Sequence, residues 1–177
     1  KGRAVRVALM GVFCVNNFGN EASLVSAVRS LHRRVPAAEL FCICSRPRAV
    51  IEAYQLESIQ LSLDAVGDCI GLRRAFLWNV SRTRLLRIVR AAQAYRRMRG
   101  VAAVVIPGTG ILDDLGLVPW REPLDLLVWC AAARLRGAQV MFVSIGAGPI
   151  TNPRTLWLMK TAARIATHRS FRDAASK

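Results

Sequence analysis

Apolar residues follow two rhythms along this chain. Short, mostly apolar runs at 6–13 (RVALMGVF), 39–45 (ELFCICS), 101–106 (VAAVVI) and 138–145 (AQVMFVSI) stand near Gly, Asn or Pro. Runs of that length, rich in β-branched residues, predict buried strands. Between them apolar positions fall three and four apart. Leu24, Val25, Val28 and Leu31 predict a helix over 21–34, with Asn20 as its cap, Glu21 at its positive end and Pro36 beyond it. A second helix is predicted from a cap at Asn79 or Ser81 to about 99, stopped by Gly100. Its apolar face is Leu85, Ile88, Val89, Ala92 and Tyr95, with Arg82, Arg87, Arg90 and Arg97 opposite. Further helices are expected over 121–136, with Pro123 in the first turn and Gly137 past the end, and over 151–167. HRSFRDAAS then reads as a short last strand and loop. Residues 46–80 are less regular: ESIQLSL reads as a short strand and DAVGDCIGLRR as loop.

Strand–helix–strand alternation makes parallel sheets buried on both faces. The expected fold is therefore α/β, a doubly wound, mostly parallel sheet, as one domain over 1–177. In such sheets ligands bind beyond the carboxyl ends of the strands. Four polar, glycine-bearing loops leave those ends: GVFCVNNFGNE, PGTGILDD, GAGP and FRDAAS.

Composition narrows the setting. The chain has 177 residues and carries a net charge of +15, and its 53% hydrophobic share excludes a disordered chain. No apolar run is long enough for a membrane span. No signal peptide is expected ahead of the first strand. Five cysteines, Cys14, Cys42, Cys44, Cys69 and Cys130, lack the paired spacing of a zinc site. An odd number of thiols fits a reducing compartment, and the expected location is cytosolic. Between Asp68 and Asp113 there are nine arginines and no acid. The basic amphipathic helix near 82–99 is thus expected to attract anions, an anionic membrane surface among them. Interleaved aromatics are scarce there (Phe76, Trp78 and Tyr95), so no specific nucleic acid is expected.

Each loop has a chemical reading beside a plain structural one. Asn17, Gly19, Asn20 and Glu21 precede a helix start, where free N–H groups favour an anion, but a capped helix has the same residues. Gly108 and Gly110 give the backbone freedom that the preceding valines lack. Asp113 and Asp114 follow, and a carboxylate there can take a proton from a sugar hydroxyl or accept a hydrogen bond from it; a helix cap or turn is the alternative. Gly146 and Gly148 form another tight turn, closed by Pro149. Arg172 can grip a carboxylate or phosphate, or pair internally with Asp173. Neither Gly108–Gly110 nor Gly146–Gly148 completes the dinucleotide pattern, and no Walker lysine is present, so no cofactor is expected. His32 and His168 receive no role.

Taken together the four loops resemble the polysaccharide pyruvyl transferase family. The resemblance rests on Gly11 with Asn17-Phe18-Gly19-Asn20-Glu21-Ala22, on Pro107-Gly108-Thr109-Gly110 with Asp113 and Asp114, on Ser144-Ile145-Gly146-Ala147-Gly148-Pro149, and on Phe171-Arg172-Asp173 with Ser176. Asn20 stands where the family usually has aspartate, Pro107 and Thr109 interrupt a glycine triplet, and Ser144 replaces a glycine. The resemblance implies a Rossmann-like domain forming the N-terminal half of a two-domain enzyme similar to GT-B glycosyltransferases. It also implies transfer of the enolpyruvyl unit of phosphoenolpyruvate onto two hydroxyls of a glycan or lipid-linked sugar, as a ketal. Asp114, then Asp113, would hold or activate the acceptor. Asn17, Gly19, Asn20, Glu21, Gly108, Gly110, Gly146, Gly148 and Arg172 would line the substrate site. The second domain is expected to supply the opposite wall, leaving this half inert alone. The alternatives are a nucleotide-binding Rossmann domain, a GT-B glycosyltransferase half and a catalytically dead homologue.

Overall fold

The computed structural model describes residues 5–62, 79–112, 119 and 121–176, with side chains of 79–87 excluded. Six strands and five helices alternate among these residues. They are β1 (Arg6–Gly11), α1 (Phe18–Arg34), β2 (Glu39–Cys44), α2 (Pro47–Tyr54), β3 (Glu57–Gln60), α3 (Asn79–Arg97), β4 (Val101–Pro107), α4 (Glu122–Leu135), β5 (Gln139–Ile145), α5 (Pro153–Ile165) and β6 (His168–Phe171). The sheet is open and all-parallel, in the order β3-β2-β1-β4-β5-β6. That is the Rossmann-like doubly wound order, and it reverses direction between β1 and β4.

Period-two alternation divides the strand side chains between two cores. Ala8, Met10, Phe41, Ile43, Val104, Ile106, Val140 and Phe142 share one cluster with Ala94 and Met98 of α3, Leu126 and Trp129 of α4, and Met159 of α5. Val7, Leu9, Cys42, Cys44 and Val105 share the other with Leu24 of α1 and Val50 of α2. Cys42 and Cys44 do lie on one face, as their spacing requires. Burial pushes both thiols up, to about 12 and about 11, so they stay protonated core groups. Trp129 is 1% exposed, and its indole N–H donates to the carbonyl of Leu61 at 2.8 Å. This bond ties α4 to the segment after β3.

Several sequence expectations need correction. Helix α1 starts at Phe18, and its cap is Asn17 rather than Asn20. Residues 47–54 form α2, an eight-residue helix begun by Pro47 and ended by Gln55 at φ +54°. ESIQ is a strand, as read. The DAVGDCIGLRR segment lies outside the described residues, as do the side chains of Arg82, Leu85 and Arg87. Helix α3 is rotated from its predicted setting. Ile88 is 65% exposed and Ala92 is also exposed, while Ala94 and Met98 are fully buried. Arg90 was placed on the solvent face, but it points inward. Its side chain is 14% exposed, and its guanidinium lies 4.0 Å from the carboxylate of fully buried Asp125 in α4. A buried charge needs a paired partner, and meeting it outweighs the simple amphipathic rotation. Among the described residues, no helix is long and apolar enough to cross a membrane.

Candidate functional site

The loops after β1, β4, β5 and β6 do meet at the carboxyl edge of the sheet. The β1 loop turns sharply, with Cys14 at φ +58° and Asn16 at φ +60°. Asn17 then caps α1: its Oδ1 accepts from the amides of Gly19 at 3.0 Å and Asn20 at 3.3 Å. Of the two readings of this loop, an anion site or a capped helix, the cap is the one these bonds show. Asn20 is 8% exposed and donates from Nδ2 to the carbonyl of Val12 at 2.8 Å. It therefore braces its own loop.

Glu21 is also turned inward. Its carboxylate accepts from the Cys14 amide at 2.6 Å and from the Tyr54 hydroxyl of α2 at 2.6 Å. The bond to Glu21 pushes the Tyr54 phenol up to about 12, because ionisation would place two negative charges together. Burial, with the Glu21 charge second, raises the Cys14 thiol.

The β4 loop is wedged against α1. Gly108 sits at φ +41°, and a Cβ built on it would stand 2.4 Å from Ser23 Oγ. Ser23 Oγ donates to the Gly19 carbonyl at 2.8 Å and approaches the Gly108 carbonyl at 3.3 Å. Glycine at 108 thus serves helix–sheet packing as well as loop shape. Thr109 is fully buried, and its hydroxyl has no partner among the described residues. Beyond it, Leu112 pairs with Ala147, and the Gly148 amide donates to the Leu112 carbonyl at 2.9 Å. Asp113 and Asp114 lie outside the described residues.

The β5 and β6 loops close on each other. Arg172 lies over Gly146, so a Cβ there would sit 3.2 Å from its guanidinium. Arg172 Nε pairs with Asp173 at 3.2 Å, the internal pairing that was one of its two readings. Asp173 Oδ1 accepts from the Ser176 hydroxyl at 2.7 Å and the Ser176 amide at 2.8 Å. Ser176 Oγ in turn receives the Ala147 amide at 3.0 Å. The RDAAS stretch is a staple for the GAGP turn. The Ser176 contacts, then Arg172, hold the Asp173 carboxyl below the usual carboxylate range.

A cleft of about 270 Å³ opens at the β1–β4 switch point, lined by Asn17, Asn20, Gly110, Ile111, Glu122 and Met159 among others. It gathers three of the sequence-predicted residues. Gly19 is exposed beside it, Glu21 faces α2, Gly108 packs on Ser23, and Gly146, Gly148 and Arg172 form the adjoining rim. Two contributors were missed by sequence reasoning. Glu122 brings a carboxylate to the cleft, but an acid in a helix first turn reads as a partner of the helix dipole. Ser23 has no signal except its position one helical turn after Gly19. Larger recesses lie along α1: a groove of about 770 Å³ between α1 and the β4–β5 half of the sheet reaches the rim at Ser23, Gly108 and Ser144, and another is lined by Phe18, Glu21 and Arg29.

Ser144 explains one departure from the family pattern. It sits at φ +53°, a backbone conformation that favours glycine, and its amide donates to Ser170 Oγ at 2.9 Å. The geometry that makes glycine usual is present even though glycine is not. None of the curated proteins matches the chain. The sequence profile of the polysaccharide pyruvyl transferases matches residues 17–177, a span that takes in the first loop from Asn17 onward and the other three whole. The chain belongs to the polysaccharide pyruvyl transferase family.

Proposed function

We propose that this chain forms one wall of a pocket in which pyruvate passes from phosphoenolpyruvate to a sugar of a cell-envelope glycan. One sugar hydroxyl adds to C2 of the enolpyruvyl group while the C3 methylene takes a proton. Phosphate then leaves, and the second hydroxyl closes on C2. The two hydroxyl hydrogens end on the new methyl group and the released phosphate, so the reaction balances without a redox partner. It needs a base at the acceptor and cationic groups at the donor. Asp114, with Asp113 beside it, is assigned the acceptor hydroxyl. Asn17, Asn20 and Gly110 line the acceptor cleft, and Glu122 offers a further carboxylate at its mouth. Asp173 engages Arg172 through Nε, and the remaining guanidinium donors are assigned to the phosphate or carboxylate of the donor.

The observation that supports this reading most is the switch-point cleft, with residues of the β1 and β4 family loops in its wall. The pocket closes only against a facing domain, so these residues alone bind ligand without turnover. Phosphate release from phosphoenolpyruvate, in the presence of a glycan acceptor and the whole enzyme carrying this chain, tests the assignment. Asp114→Asn should lower kcat by about 10²–10⁴-fold, the usual worth of a positioned base. An unchanged rate removes Asp114 from the chemistry. In a thermal-shift screen, stabilisation by NAD and none by phosphoenolpyruvate would transfer the cleft to dinucleotide binding.

A further inference from the structure

We propose that the amino-terminal edge of the sheet, opposite the cleft, is a docking surface for an anionic phospholipid bilayer. In a parallel sheet each crossover helix runs back against the strands, so helices end where strands begin. Four of the five described helices end there on arginine: α1 on Arg33 and Arg34, α3 on Arg96 and Arg97, α4 on Arg134 and α5 on Arg164. Arg6 and Arg99 join Arg96 and Arg97 around a recess of about 310 Å³ that also contains Phe41, Ile59 and one acid, Glu57. The acids of this edge are confined to the α2–β2–β3 corner, where Glu39 already pairs with Arg6 at 3.6 Å. Arg96, Arg97 and Arg99 have no acidic partner among the described residues.

A basic residue in a last turn also complements the helix dipole. That accounts for Arg134, whose guanidinium donates to the Ala138 carbonyl at 3.1 Å. It does not account for three neighbouring guanidiniums that repel one another across a recess whose one lining acid is Glu57.

Apolar side chains decide what kind of anion fits. Val5, Val35, Tyr95 and Leu135 all lie on this edge and are 44, 37, 40 and 76% exposed. An acidic bilayer accepts both groups, guanidiniums at its phosphates and Leu and Val at its interface. A nucleic acid gains little from Val35 or Leu135 and favours aromatics available for stacking. Tyr95 is covered by the Arg136 guanidinium at 3.7 Å. The membrane contact expected along the helix near 82–99 therefore belongs to the carboxyl end of α3 and the edge around it. A chain lying on this edge holds its cleft away from the lipid plane.

Vesicle co-sedimentation of the 177-residue chain tests this independently of turnover, with phosphatidylcholine vesicles with and without phosphatidylserine. Binding should require phosphatidylserine and weaken between about 0.15 M and about 1 M salt, as surface charges become screened. The paired substitution Arg96→Gln with Arg97→Gln should weaken it at least about tenfold. Arg48→Gln with Arg154→Gln removes the same charge from the opposite edge and should leave binding near wild type. Urea midpoints of both variants separate lost binding from lost folding. Leu135→Ser, at an exposed site, gives a second readout, with an expected loss of several-fold. Equal binding to neutral vesicles, or equal losses from the two arginine pairs, overturns the proposal. So does capture by duplex DNA or RNA without capture by vesicles, which would assign the edge to nucleic acid.

Discussion

Replacing Gly108 with alanine tests how the β4 loop is held. Three costs follow from the geometry. A side chain at φ +41° pays roughly 1–2 kcal/mol of left-handed strain. The new Cβ would stand 2.4 Å from Ser23 Oγ, so the hydroxyl must rotate away and abandon the Gly19 and Gly108 carbonyls, at about 1 kcal/mol. Ser23 Cβ remains 3.0 Å away and cannot retreat without shifting α1, which adds about 1 kcal/mol of crowding. The sum is about 3–4 kcal/mol, a large part of the roughly 5–15 kcal/mol of a typical domain. Urea unfolding followed by tryptophan fluorescence reads it, with buried Trp129 among the reporters. Ser23→Ala alone should cost about 1 kcal/mol or less, but almost nothing once Gly108→Ala has already displaced the hydroxyl. The double-mutant cycle should therefore show about 1 kcal/mol of coupling. A Gly108→Ala loss below about 0.5 kcal/mol, or strictly additive single effects, refutes the wedge and leaves Gly108 with a loop role only.

Ser144→Gly relieves left-handed strain of roughly 1–2 kcal/mol but frees the unfolded chain, so urea unfolding should show a change between about zero and +1 kcal/mol. A loss would mean that the serine side chain has a contact of its own. Asp173→Asn should narrow the difference in stability between neutral and acid pH. The folded Asp173 pKa is depressed below 3.8, so its contribution is complete above that pH and is lost as pH falls through the lower folded value. Denaturant titrations at neutral pH and near pH 3 check this, and an unchanged acid limb in the variant counts against the staple.

The strand pattern was legible because burial on both faces leaves runs of apolar residues that few other elements produce. Helix α2 was not, because its apolar positions, Val50, Ile51 and Tyr54, span only eight residues, too few for helical spacing to stand out from a loop. The turn of α3 was misread for a different reason. The buried carboxylate of Asp125 comes from another helix, 35 residues after Arg90 (125 − 90), and no local rhythm announces it. The loops themselves were evident from their glycines and acids, but their internal duties were not. Asn17 and Asn20 look like ligand groups in the sequence, yet most of their described hydrogen bonds go to their own backbone neighbours. Asp173 and Ser176 likewise secure the turn at Ala147. Only the three-dimensional meeting of β4 and α4 brings Glu122 to the cleft.

The ties across the loop rim also set an order of assembly. Ser23 meets Gly108 across 85 residues, Leu112 meets Gly148 across 36 (148 − 112), and Ala147 meets Ser176 across 29. The 85-residue closure forms after the β1–α1–β2 contacts, whose strand pairing spans 33 residues (39 − 6), since longer loops lose more entropy on closing and are searched more slowly, while the two shorter ties wait for the later segments to be made. During synthesis, the sheet's first half can dock while the rim is still open, and the last tie waits for Ser176 to leave the ribosome. Ligand binding should therefore report the latest stage of folding, appearing only after most of the helical signal has formed.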